Sequence, residues 1–202
     1  MSRYPTTIPE LVEFYYDEFK PVYSSIQQAN IVPLEMFFEI NAAFDHWSRI
    51  VKYGEDEAKT VRTISAHLKR GCFDAFKIMM MRTKDQYDEL RCTDLSIIDN
   101  GQFIHAMNDL WAEIDRLGLD ARLSEGDSRD EDRWHIAFDK WESVMEKCAE
   151  FTDKYYHNKK VTWARTRESQ RERKKMIAGI VIGAIGSLVA AGIIALTAKF
   201  FF

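Results

Sequence analysis

Residues 134–155 read WHIAFDKWESVMEKCAEFTDKY, the most regular apolar pattern in the first three quarters of the chain. The spacing of its stripe alternates between four and three residues: Trp134, Phe138, Trp141, Met145, Cys148, Thr152 and Tyr155. Heptad spacing of this kind places all its members on one face of a helix. The stripe is either the core of one domain or a contact between copies, and the other apolar faces that need cover favour the core.

The same helical period continues upstream and predicts an all-α bundle over residues 1–158. The predicted helices are one from Ile8 interrupted near Pro21, one after Pro33 carrying Phe37, Ile40, Phe44, Trp47 and Val51, one from Glu55, and one ending near Gly118 before a loop at Asp120–Ser128. With 9 glycines and 4 prolines in 202 residues, the chain has little of the turn chemistry that a β-sandwich requires. Because no proline follows Arg129, we expect one helix to continue from the bundle to the end of the chain.

Residues 176–198, MIAGIVIGAIGSLVAAGIIALTA, form an uninterrupted run of 23 uncharged positions. As a helix this run is about 34 Å long, whereas the hydrocarbon core of a bilayer is about 30 Å thick. We therefore predict a single transmembrane helix over residues 176–199, at the C-terminal end of the sequence. That arrangement is typical of a tail-anchored membrane protein.

The charges of the chain are sharply segregated. The net charge of −4 divides into +1 for residues 176–202, +7 for residues 154–175 and −12 for residues 1–153. We call residues 159–175 the basic collar; the positive-inside rule predicts that the collar and the bundle lie on the cytosolic side of the membrane. The collar residues nearest the predicted span, and so the predicted lipid-headgroup ligands, are Arg171, Arg173, Lys174 and Lys175. Nucleic acid phosphates need the same charges, but the adjacent span favours lipid.

Small residues recur at intervals of four within the predicted span. Gly179 and Gly183 form a G-x-x-x-G pair, and Gly186 and Ala190 repeat the spacing. Such a face lets two helix backbones approach closely in lipid, so it predicts a homo-oligomer.

Residue types that carry chemistry are sparse. The three cysteines have no C-x-x-C spacing and the five histidines form no H-E-x-x-H pair, so the sequence predicts no metal site and no cofactor. Two arginine–histidine pairs remain as catalytic candidates: Arg62 with His67 (RTISAH), and Arg129 with His135 (RDEDRWH).

The spacing of these pairs resembles the R-x4–6-H motif of HEPN proteins, which are all-helical and often cleave RNA as dimers. That resemblance implies that Arg62 and His67, or Arg129 and His135, act on the ribose 2′-hydroxyl and the phosphate. A helical head joined to a membrane span is also similar in outline to HEPN-like accessory proteins of CRISPR antiviral defence, which damage membranes. Separately, HWSRIV at His46–Val51 resembles the NWGRIV-type motif of tail-anchored apoptosis regulators.

Three functions follow as hypotheses. The leading one is an anchored protein that self-assembles and perturbs the bilayer as a defence effector. The second is a membrane-tethered ribonuclease of the HEPN type. The third is a non-enzymatic adaptor whose helical head binds a cytosolic protein.

Overall fold

The structure is a computed structural model that describes the backbone of residues 5–125 and 133–201, and the side chains of these residues as far as Ser187. The α-helices in these ranges are α1 (Ile8–Phe14), α2 (Lys20–Gln28), α3 (Leu34–Tyr53), α4 (Glu57–Arg91), α5 (Gln102–Glu125), α6 (Arg133–Phe151) and α7 (Lys159–Phe201). Two π-helical turns, Tyr15–Phe19 and Thr152–Tyr156, and a 3-10 turn, Asp99–Gly101, complete the regular structure. No strand occurs in the two described ranges, so the predicted all-α fold is confirmed.

The first helical segment is continuous from α1 to α2. Thr7 begins it with a capping box: the Thr7 hydroxyl accepts from the Glu10 amide, and the Glu10 carboxylate accepts from the Thr7 amide. The interruption predicted near Pro21 takes the form of the π-helical turn, in which the Lys20 amide donates to the Tyr15 carbonyl five residues earlier. Pro21 then lies in the first turn of α2, where its missing N–H is tolerated.

Helices α3 and α4 form an antiparallel pair, in which α4 is the central helix of the fold. Gly54 ends α3 with a left-handed backbone (φ 67°) that glycine adopts without steric cost, and its amide donates to the Ile50 carbonyl over 3.1 Å. Asp56 caps α4 by accepting from the Lys59 amide over 2.7 Å. At 35 residues, α4 is about 52 Å long and packs against α1, α2, α3 and α6.

Helix α3 meets α4 through a different face from the one that its apolar spacing suggested. Met36 and Ala43 are buried against the fold. The apolar stripe of α3 lies to one side, and four of its members are exposed: Phe37, Phe44, Trp47 and Val51.

The prediction that the fourth helix ends near Gly118 is wrong. Helix α5 continues for seven residues beyond it, to Glu125, so the first part of the predicted loop at Asp120–Ser128 is helical; residues 126–132 lie outside the described ranges. Gly118 is buried, and a Cβ atom there would lie 2.6 Å from Met80 Sδ. The glycine therefore leaves room for the Met80 side chain of α4 instead of ending a helix.

Helix α6 packs its heptad stripe into the core. Trp134, Phe138, Trp141, Cys148 and Tyr155 are buried, which confirms that the stripe is intramolecular, while Met145 and Thr152 are partly exposed. Rings of α4 pack against it: Phe76 lies 5.3 Å from Phe138 and 6.1 Å from Trp141 between ring centroids. Trp141 Nε1 also donates to Glu125 over 2.6 Å, which holds the end of α5 against α6.

The expectation of one uninterrupted helix from α6 into α7 is wrong, because the chain turns at His157 and Asn158. The His157 amide donates to the Thr152 carbonyl over 2.9 Å and closes the second π-helical turn. Asn158 then caps α7, since its side-chain oxygen accepts from the Lys160 amide over 2.9 Å. The direction of α7 is therefore set separately from that of α6.

Candidate functional site

The base of α7 is fixed to the bundle by both apolar and charged contacts. Val161 and Ala164 are fully buried. Arg165 lies 2.9 Å from Glu89 at the end of α4, and the Tyr156 hydroxyl donates to the same carboxylate over 2.7 Å. That hydrogen bond to Glu89 is the main cause that raises the pKa of Tyr156. The base of α7 is thereby held against the rest of the fold.

A groove of about 520 Å³ opens just beyond this attachment, between α7 and the connection from α4 to α5. We call it the basic groove; its lining is Asp94, Ile97, Ala164, Arg167, Glu168, Gln170, Arg171, Glu172, Lys174 and Lys175. Three of the four predicted headgroup ligands, Arg171, Lys174 and Lys175, line the groove, while Arg173 is exposed on the same helix outside it.

Charges in the basic groove are only partly neutralised by the protein itself. Lys175 lies 2.9 Å from Glu172. Arg171 and Lys174 form no ion pair with any described residue, and the four cations of the lining face three carboxylates, those of Asp94, Glu168 and Glu172. On the opposite wall, the pKa of Asp94 is lowered mainly by hydrogen bonds from the Ser96 hydroxyl and amide, with smaller contributions from the positive charges of Arg171 and Arg167. The arrangement offers guanidinium and ammonium groups to an anion.

Beyond the groove, α7 continues as a solitary apolar helix. Its large side chains from Met176 to Ile185 are 49–69% exposed, and every position from Met176 to Ser187 is exposed. Cβ atoms built on Gly179, Gly183 and Gly186 would meet nothing within 4 Å. Ala190, the fourth residue of the predicted small-residue face, lies outside the residues whose side chains are described.

In the part of the chain that the structure describes, no helix is both long enough and apolar enough to cross a bilayer.

The first arginine–histidine pair does not converge within one chain. Arg62 and His67 belong to the same helix, and five residues turn a helix through about 500°, which leaves the two side chains about 140° apart. Arg62 is exposed, whereas His67 is partly buried. In the second pair Arg129 lies outside the described residues, and His135 packs its ring 4.8 Å from that of Trp134 in the first turns of α6.

His67 instead joins a small polar cluster between α3 and α4. Its Nδ1 atom lies 2.6 Å from the Glu39 carboxylate, and Arg70 Nε donates to the same oxygen over 3.3 Å. Nδ1 also lies 2.7 Å from Arg70 Nη2, so it donates to Glu39 in one tautomer and accepts from Arg70 in the other. The His46 ring stacks on the His67 ring with 5.2 Å between centroids, so these side chains chiefly hold α3 to α4.

A cleft of about 740 Å³ separates α2, α4 and α6. Two pairs of its polar groups bind each other: Arg82 donates to the Ala29 carbonyl, and the Thr152 hydroxyl donates to Gln86 over 2.8 Å. Burial raises the pKa of the Cys148 thiol to about 11, so the cleft holds no thiolate at neutral pH. Among the described residues no group of three or more His, Cys, Asp or Glu side chains is placed to hold a metal ion.

The α7 side of the basic groove was predictable from the sequence, and its other wall was not. Asp94 and Ile97 come from the connection between α4 and α5. The Asp94–Ser96 hydrogen bonds form a local turn, and an Asx turn is a signal that the sequence does carry. What the sequence does not carry is the contact of this turn with a helix about 70 residues later.

No protein-family model, curated protein or solved structure matches this chain. The likenesses to HEPN proteins and to apoptosis regulators therefore stay predictions.

Proposed function

We propose that the protein is a single-span membrane protein whose α7 anchors a helical head at the cytosolic face of a bilayer. The observation that carries the proposal is the exposure of α7 on all sides from Met176 to Ser187. An isolated helix that is apolar all round needs an apolar environment to cover it. The uncharged sequence continues to Ala198, which gives a length suited to a hydrocarbon core.

The basic groove supports the same proposal. Arg171 is about 8 Å along the helix axis from Met176, and Lys174 and Lys175 immediately precede it. In this proposal these residues lie at headgroup depth, where each cation gains about 1 kcal/mol from an anionic leaflet. The ligand that we propose for the groove is the phosphate of a lipid headgroup.

We further propose that the anchors self-associate and that the assembly perturbs the bilayer. The open faces at Gly179, Gly183 and Gly186 support this step, because small residues let helix backbones approach closely where lipid supplies no hydrophobic drive. No ionisable residue occurs from Met176 to Ala198. A conducting path would therefore require several copies of α7.

The experiment replaces Gly179 and Gly183 together with leucine in the full chain and measures growth and membrane potential after induced expression. The proposal predicts that wild type depolarises the membrane and that the double variant does not, although it still enters the membrane fraction. The matched control replaces Val181 and Ala184 with leucine, which adds bulk about 180° and 120° around the helix from the centre of the Gly179–Gly183 face and should leave depolarisation intact.

Two results would contradict the proposal. If the wild-type chain stays in the supernatant after ultracentrifugation without detergent, α7 does not anchor the protein in a membrane. If depolarisation persists unchanged in the Gly179→Leu, Gly183→Leu variant, it does not depend on self-association through this face.

A further inference from the structure

The basic groove carries charges of both signs. Of the charged side chains in its lining, Lys175 and Glu172 neutralise each other over 2.9 Å. The carboxylates of Asp94 and Glu168 form no ion pair with any described residue. Beside a bound phosphate these two carboxylates would be unfavourable, because like charges repel. Their place in the lining therefore indicates a ligand that carries a positive charge as well as a negative one.

Helix α7 presents charges of both signs to the bundle side of the groove. Ala164 is 1% exposed and so marks the side of α7 that faces the bundle. Glu168, Arg171 and Lys175 lie within about 40° of that direction around the helix axis. Measured along the axis from Met176, Arg171 is about 8 Å away and Glu168 is about 12 Å away. On this face the cations are nearer to the proposed bilayer than the carboxylate is.

The opposite wall holds the Asp94 carboxylate in place. Its Oδ1 atom accepts from the Ser96 amide over 3.3 Å and from the Ser96 hydroxyl, so Oδ2 remains for a ligand. Leu95 between them is 1% exposed, and Asp99 accepts from Lys160 at the base of α7. A carboxylate held in this way does not swing across the groove to neutralise the cations, and it is preorganised for a ligand.

We propose that the basic groove binds the headgroup of phosphatidylethanolamine. This inference rests on the proposed function, because the lipid comes from the bilayer that α7 enters. The phosphate, which is attached to the glycerol, lies against Arg171 and Lys174. The primary ammonium extends away from the hydrocarbon core and donates to Asp94 and Glu168 in charge-assisted hydrogen bonds. The order of the charges along α7 is thus the order of the charges along the headgroup.

Two other headgroups fit the lining less well. Phosphatidylglycerol carries a phosphate but no positive charge, so Asp94 and Glu168 stay unpaired beside it. Phosphatidylcholine carries a positive charge on a nitrogen that has no N–H, so it cannot donate to either carboxylate. Of the three lipids, phosphatidylethanolamine alone supplies both the phosphate and a cation that donates hydrogen bonds.

The experiment measures lipid binding to the full chain in detergent by native mass spectrometry, with the three lipids added at equal concentrations. Phosphatidylethanolamine should bind at least about tenfold more tightly than either other lipid, which is the contribution of about one hydrogen bond to a charged group. Asp94→Asn with Glu168→Gln should remove this preference and should not weaken the binding of phosphatidylglycerol. Asparagine keeps the oxygen to which Ser96 donates, and Glu168→Gln alone, which leaves that turn unchanged, should act in the same direction.

The matched control is Glu13→Gln with Asp109→Asn, which removes two carboxylate charges at exposed positions of α1 and α5. This variant should keep the preference for phosphatidylethanolamine, and circular dichroism verifies that each variant remains helical. Equal binding of the three lipids by wild type, or an equal loss of preference in the control, would overturn the inference.

Fractionation of cells separates this inference from the proposed function on which it rests. Wild-type chain that is found in the membrane fraction but shows no preference among the three lipids would reject the headgroup and keep the anchor. Wild-type chain that stays in the supernatant would reject both the anchor and the headgroup.

Discussion

Gly71 lies where α3, α4 and the first π-helical turn meet. A Cβ atom there would be 3.2 Å from the Phe19 ring and 3.5 Å from Met36 and from Glu39. Phe19 and Met36 are themselves fully buried, so neither side chain has free space into which to move. The absence of a side chain at Gly71 is thus what lets three helical segments approach one point.

Replacing Gly71 with leucine should therefore lower the free energy of unfolding by about 1–3 kcal/mol, the usual cost of overpacking a core. Denaturant unfolding of the full chain in a mild detergent, followed by circular dichroism, measures the change. Ala66→Leu is the matched control, because Ala66 is exposed on the same helix. An equal loss in the control would mean that crowding at Gly71 is not the cause.

His67 was recognised in the sequence as a candidate residue, but its partner in the structure, Glu39, was not. The motif joins it to Arg62 through spacing along the sequence, but the helix separates the two side chains. The structure pairs His67 with Glu39, 28 residues away, over 2.6 Å. Spacing within one helix is predictable from its geometry, whereas a contact between two helices depends on how they pack.

At the scale of elements, helices α3 and α6 carry the same apolar spacing with opposite outcomes. Trp141 in α6 is fully buried, whereas Phe44 in α3 is 61% exposed. Local periodicity states which residues share a face, and that is why the helices themselves were predictable. It does not state what covers the face, because the covering helices come from distant parts of the sequence. The prediction that a helix ends at Gly118 was wrong for the same reason, because the role of Gly118 depends on its contact with Met80 of another helix.

Glu18, in the first π-helical turn, should make stability depend on pH. Burial is the main cause that raises the pKa of Glu18, and the negative charges of Glu142, Asp17 and Asp139 raise it further. The native state therefore holds a proton more tightly than the unfolded chain does. Above the ordinary pKa of 4.5, the free energy of unfolding should fall as the pH rises through the elevated pKa. The reason is that the ionised carboxylate is better solvated in the unfolded chain than in the native state.

Replacing Glu18 with glutamine removes the ionisation, so it should raise the denaturation midpoint at pH 7.5 and have a smaller effect at pH 5. Denaturant titrations at the two pH values measure this difference. Glu13→Gln, an exposed position in α1, should change the midpoint equally little at both. A Glu18→Gln midpoint that rises by the same amount at pH 5 and pH 7.5 would exclude ionisation of Glu18 as the cause.

At the scale of the whole molecule, the separation of charge along the chain and the attachment of α7 to the bundle favour the same orientation of the head relative to a membrane. Residues 1–153 carry −12 and residues 154–175 carry +7, so an anionic surface attracts the collar and repels the head. The contacts of Arg165 and Tyr156 with Glu89 fix α7 to the far end of α4. In the proposed function these forces hold the head in water beside the bilayer while α7 enters the bilayer.

The collar should then decide on which side of the membrane the head is found. Replacing Arg171, Arg173, Lys174 and Lys175 with glutamine removes four positive charges next to the anchor, so the positive-inside preference weakens and a fraction of the chains should insert with the head outside. Cys92 reports the side, because it is the exposed cysteine of the described head. A membrane-impermeant maleimide added to intact cells should label Cys92 in the variant and not in wild type, and cell lysis should make both reactive.

Glutamine at four cations of the head, Lys59, Lys84, Arg91 and Lys154, is the control and should leave Cys92 protected. If Cys92 is protected equally in the collar variant and in wild type, the collar charges do not determine the orientation. If Cys92 of wild type is labelled in intact cells, the head lies outside the cell and the proposed topology is wrong.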